Sequence, residues 1–162
     1  LTGTAAEGEA EEAAPRPRTS IAAPVPASSL KDRVLDRALA EVKAGRAPKA
    51  LEVVKRELDR ETSERGRFLR QAQLARVMVE AGLDAMAIPL LEQLQTTITD
   101  FRLEEWELGS LVAEPLVLLY RCLEKQEGDP EVRQSLYLRI CRLDPVQALG
   151  FGQATAHGEA GA

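Results

Sequence analysis

The stretch RGRFLRQAQLARVMVEAGLDAMAIPLLEQLQTTI, residues 65–98, sets its large apolar residues three and four apart on both sides of one glycine. That spacing gathers them on one face of a 3.6-residue helix, and nowhere does strict alternation run long enough for a half-buried strand. Phe68, Ala72, Ala75 and Val79 make the inward stripe of a helix from about Ser63 to Ala81, which Gly82 closes. Asp84 stands ready to cap the next helix, with Ile88, Leu91, Leu94 and Ile98 inward; Pro89 near its first turn predicts a local bend. The stretch reads as two antiparallel helices joined by a glycine turn.

The same hairpin occurs earlier in the chain. A shift of 37 residues takes Leu35 to Ala72, Ala38 to Ala75, Val42 to Val79, Gly45 to Gly82, Ala50 to Ala87 and Val54 to Leu91. Small residues at the crossing and glycine at the turn are what two helices need to pack closely. The earlier copy begins with Ser29 and Asp32 spaced as a capping box and carries Leu30, Val34, Leu35, Ala38, Leu39 and Val42 inward. Pro48 then opens a helix with Leu51, Val54 and Leu58. The turn resembles that of tetratricopeptide hairpins, but the 37-residue period is longer than theirs and their aromatic signature is missing.

Downstream, a fifth helix spans about Glu104 to Lys125, with interruptions expected at Gly109 and Pro115. Only Glu114 and Arg121 are charged between Leu111 and Leu123, so this helix should be the most buried. Asp129 and Pro130 begin a sixth, with Val132, Leu136, Ile140 and Leu143 inward; Asp144 and Pro145 break it, and Val146 to Leu149 add a last turn. The expected fold is all-α: about six helices in antiparallel hairpins, a solenoid-like helical domain over residues 28–149. Residues 1–27, rich in Pro, Ala and Glu, offer too little apolar surface to offset the entropy of ordering, and read as a disordered linker; residues 150–162 read as a disordered tail. The chain opens on Leu1 rather than Met, as a fragment of a longer protein would.

Composition narrows the function. The 162 residues carry a net charge of −5, against the basic excess that nucleic-acid binding requires. Two cysteines make no disulfide framework, no apolar run nears a membrane span and no signal segment opens the chain, so the cytoplasm is the expected compartment. The one histidine, His157, lies in the predicted tail, away from any partner for nucleophilic catalysis or metal binding. The core glycines stand singly, without the cluster that cradles a phosphate, and Cys122 and Cys141 read as core packing. No catalytic residue, cofactor site or metal site is expected.

Charge is unevenly distributed: residues 43–76 sum to +5 and residues 77–149 to −7. A module with halves of opposite sign suits head-to-tail association, which closes into a ring when the rotation permits.

Residues 65–107 carry a more specific likeness. Arg67 and Phe68, the Ala-rich helix Ala72 to Ala81, Gly82, the helix from Ala87 to Leu94, and Leu103-Glu104-Glu105-Trp106 follow in order, and the chain later closes on RICRLDPVQAL, residues 139–149. This arrangement resembles the VasJ-type C-terminal domain of the TssA proteins of bacterial type VI secretion systems. Where that family commonly has Trp-Glu-Pro, this chain has Trp106, Glu107 and Leu108. The resemblance implies a non-enzymatic assembly protein: a ring-forming homo-oligomer that organises baseplate, tube and sheath, with an ImpA-type domain upstream of Leu1. Large aromatic side chains often anchor interfaces. Phe101 and Trp106 are therefore the expected subunit contact, with Arg65, Arg67 and Arg70 facing Glu104, Glu105 and Glu107 as complementary rim charges. A monomeric tetratricopeptide-like adaptor that grips a partner peptide is the alternative.

Overall fold

The computed structural model describes residues 32–156, with side chains from 32 to 151. Within them the chain forms eight helices and no strand: α1 (Arg33–Lys43), α2 (Ala47–Arg60), α3 (Glu64–Glu80), α4 (Asp84–Asp100), α5 (Leu103–Trp106), α6 (Gly109–Lys125), α7 (Pro130–Leu143) and α8 (Pro145–Ala156). Apart from the one-turn α5, each packs against the next, α6 taking α4 as its partner, so the hairpins stack in chain order.

The starts follow side-chain chemistry. Asp32 accepts from the Leu35 N–H at 3.0 Å, Ser63 from Gly66 at 3.0 Å, and Asp129 from Glu131 at 2.8 Å. Asp84 is the first residue of α4 rather than its cap, a place held by Leu83. Ser29 and Leu30 lie outside the described residues.

The 37-residue repeat is a repeat of turns. Gly45 and Gly82 both adopt left-handed backbone, at φ 77° and 75°. Ala38 and Ala75, Ala50 and Ala87, and Val54 and Leu91 are all 0% exposed at the two crossings.

Two apolar clusters share α3. Leu35, Ala38, Ala50 and Val54 meet Leu74 and Val77 on one side of it. Phe68, Ala72 and Ala75 face the larger cluster on the other, built round α6 with Leu91, Leu94, Ile98, Leu136 and Ile140. Ten of the residues of α6 are buried, as its lack of charge predicts.

Several details depart from the sequence expectation. The fifth helix divides: Arg102 turns left-handed at φ 52°, α5 makes one turn, and Glu107 and Leu108 run extended into α6. Gly109 begins α6 rather than interrupting it, and glycine is required there because an added Cβ would lie 2.2 Å from the Leu143 carbonyl oxygen at the end of α7. Pro115 and Pro89 sit inside unbroken helices. Val132 faces solvent at 44% exposure. The tail expected from residue 150 is helical to Ala156, because Phe151 is buried against Tyr120, ring centroids 4.8 Å apart, with the Arg121 guanidinium 5.5 Å from its centre. His157 lies outside the described residues.

Candidate assembly surface

The left-handed Arg102 and the extended Glu107–Leu108 link fold the α4–α6 connection into a tight corner. Leu103 turns into the core, while Phe101, Trp106 and Leu108 are left about half exposed. The Trp106 Nε1–H donates to the Phe101 carbonyl at 3.0 Å, which fixes the indole across the corner. Between this corner and the start of α3 lies a hollow of about 210 Å³, lined by Glu64, Arg65, Phe68, Phe101, Trp106 and Glu107 among others. Its floor is apolar, and one ion pair, Arg65 with Glu107, crosses its rim.

The same end of the molecule receives the last helix. The end of α7 touches Gly109, and the Gln147 amide donates to the Ser110 carbonyl at 3.3 Å, so α8 begins beside the start of α6. Val146 and Leu149, 75% and 66% exposed, project from α8 on the side away from Ala148 and Phe151. No charged residue occurs in α8, whose outer face therefore adds to the apolar character of this end. Large apolar groups left in water in one region mark an interaction surface more than singly scattered ones do.

Of the eight residues singled out from the sequence, four meet at one place and four are held apart from it. Arg65, Phe101, Trp106 and Glu107 come together around the hollow. Glu104 and Glu105 share the short helix but are held elsewhere: Glu104 pairs with Arg139, which also donates to Thr99 Oγ1 at 3.2 Å, and Glu105 pairs with Arg102 at 2.6 Å. Arg67 donates to the Glu61 carbonyl at 3.4 Å. Arg70 is largely buried and reaches Asp32 at 2.5 Å, Glu61 at 3.3 Å and Gln73 at 2.9 Å. Its charge ties α3 to the start of α1, so reversing it acts on the fold before it acts on any rim. The arginine and glutamate groups thus meet within one chain, at Arg65 and Glu107. Leu108, Val146 and Leu149 are not marked by any motif; the uncharged run PVQALGFGQATA, residues 145–156, is the signal that points to the last two.

Among the described residues, no three His, Cys, Asp or Glu side chains are placed to hold a metal ion, and no helix is long and apolar enough to cross a membrane. Both cysteines are free thiols. Burial, with Asp84 nearby, pushes the Cys122 thiol up and away from the reactive thiolate.

Comparison with known proteins gives one match. A family model described as type VI secretion (EvfE, EvfF, ImpA, BimE, VasJ) matches residues 9–114, which takes in α1 to α5 and the start of α6. No curated protein and no solved structure matches the chain.

Proposed function

Because the chain belongs to the VasJ family of type VI secretion proteins, we propose that it is a non-enzymatic, ring-forming core that organises baseplate, tube and sheath in the cytoplasm. The observation that carries this reading is the apolar end of the molecule, where Phe101, Trp106, Leu108, Val146 and Leu149 stay exposed. A head-to-tail ring needs two unlike surfaces on each subunit, one to meet the other. The Phe101–Trp106 hollow supplies a concave one and the outer face of α8 a convex one. Arg65 and Glu107 form the polar rim of the hollow, where charges set register and association rate more than affinity.

Multivalency is the mechanism such a core supplies: fixed spacing in the ring converts separate weak contacts with the secretion components into joint ones.

Light scattering on the full chain eluting from a size-exclusion column tests the reading. A single mass of many subunits is expected, falling to that of a monomer in Trp106→Ala with Val146→Asp while the circular dichroism stays helical. A monomer at every concentration would overturn the ring and leave the peptide-gripping adaptor as the better account.

A further inference from the structure

A second surface, on the opposite side of α3 from the larger apolar cluster, carries concentrated positive charge. Arg33 and Arg37 on α1, and Arg56 and Arg60 on α2, line a hollow of about 250 Å³ together with Val34 and Val53. Each pair stands four residues apart on its helix, a spacing at which like charges destabilise. Packing α1 against α2 then brings the two pairs to one hollow. Glu57 is the single acid in the lining, and Arg60 holds it at 2.9 Å. Arg33, Arg37 and Arg56 make no ion pair among the described residues. The arrangement costs free energy unless anions cover it.

The chain carries a matching anion close at hand. Residues 4–14, TAAEGEAEEAA, hold Glu7, Glu9, Glu11 and Glu12 and no base. They precede Asp32, and Arg33, the first residue of α1, is itself part of the hollow. Nineteen residues separate Glu12 from Asp32, and a random-coil chain of that length has an end-to-end distance of about 25 Å. Helix α1, with its 11 residues, is only about 16 Å long. Every arginine of the hollow is therefore within reach, at an effective concentration in the millimolar range. Each guanidinium fork donates two parallel hydrogen bonds to one carboxylate, so four glutamates on four arginines need no special backbone shape. The match to the family begins at residue 9, so three of the four glutamates lie in the same matched stretch as α1 and α2.

We propose that the acidic segment Glu7–Glu12 folds back on its own chain and seats its carboxylates on Arg33, Arg37, Arg56 and Arg60, covering this basic face. The inference does not depend on the assembly surface at the other end.

The test uses the full chain and a full-length variant with Glu7, Glu9, Glu11 and Glu12 all changed to Gln. These positions precede every described helix, so the fold is left intact. A fluorescein-labelled peptide of residues 4–14 is titrated into each and followed by anisotropy. The expected result is binding to the variant at least tenfold tighter than to the unchanged chain, weakening steeply between low and high salt. Adding Arg56→Gln and Arg60→Gln to the variant should then abolish it. Equal binding to both chains, or none to the variant, would overturn the proposal. Scattering in parallel covers the other occupant: if the difference disappears on dilution together with the particle mass, the segment comes from a neighbouring copy and folding back is wrong.

Discussion

Gly45 and Gly82, 37 residues apart, hold the same place in the same turn: the Gly45 N–H donates to Val42 and the Gly82 N–H to Val79, both at 3.0 Å. The next residue closes each motif, Arg46 to Glu41 at 2.9 Å and Leu83 to Met78 at 2.8 Å. These are Schellman ends, in which one left-handed residue lets the last carbonyls of a helix find donors.

A third such end lacks its glycine. After α6 the left-handed position is Glu127, at φ 52°, and Gly128 comes one residue later, bonded to the Leu123 carbonyl at 2.8 Å. A side chain in this conformation costs about 1 kcal/mol. Glu127→Gly should therefore stabilise the chain by about that amount, and Gly82→Ala, where a Cβ meets nothing within 4 Å, should cost a similar amount through the backbone alone. Urea unfolding of the two variants checks both signs.

Arg70 and Arg102 both form ion pairs, and they should differ in weight. Arg70, 16% exposed, supplies donors to Asp32, Glu61 and Gln73, and Asp32 in turn caps α1. Arg70→Met removes the donor that Asp32 Oδ2 and Glu61 Oε1 share and should cost about 2 kcal/mol. Arg102, 74% exposed, pairs with Glu105 in water, and Arg102→Ala should change stability by less than about 0.5 kcal/mol. Comparing the two urea midpoints decides it.

Glu41 gives the α1–α2 turn an acid sensitivity. The Arg46 hydrogen bond, with Lys49 and Arg37 nearby, holds its carboxyl below the usual value of 4.5. A carboxylate depressed in the folded state stabilises at pH above its unfolded value, and that stabilisation is lost as the pH falls through the folded one. Below pH 4.5, the stability of Glu41→Gln should consequently fall less steeply than that of the unchanged chain. Thermal midpoints from pH 6 to about pH 3 would measure it.

The two thiols should react at different rates. Cys122 is 0% exposed and its thiol is pushed up by burial, whereas Cys141 is partly exposed. Iodoacetamide should modify Cys141 first in the native chain and both in urea, as peptide mass analysis would register.

Much of the fold is legible because its causes are local. Apolar spacing marks the helices, Ser63 and Asp129 start two of them, and Gly45 and Gly82 end two, whereas α1 starts at Asp32 and not at Ser29 as the capping-box spacing suggests. Both ends of α5 are harder to read, since the breaks come at Arg102 and at an extended Glu107–Leu108, residue types with no strong turn preference. Gly109 and Pro115 look like breakers in sequence; one is a close approach to Leu143 and the other is accommodated inside α6. For the site, the aromatic pair was visible and its setting was not.

The sequence by itself determined that the chain is helical, that two hairpins repeat at 37 residues, and that the family is one of type VI secretion, since periodicity, turn chemistry and motif order are carried along the chain. Only the tertiary structure decided that Arg65 meets Glu107, Arg70 meets Asp32 and Glu104 meets Arg139, partners 42, 38 and 35 residues apart. It also decided that Val146 and Leu149 face water while Ala148 and Phe151 do not. Side-chain type sets what a residue gains by burial, but which neighbour covers it depends on how the helices stack.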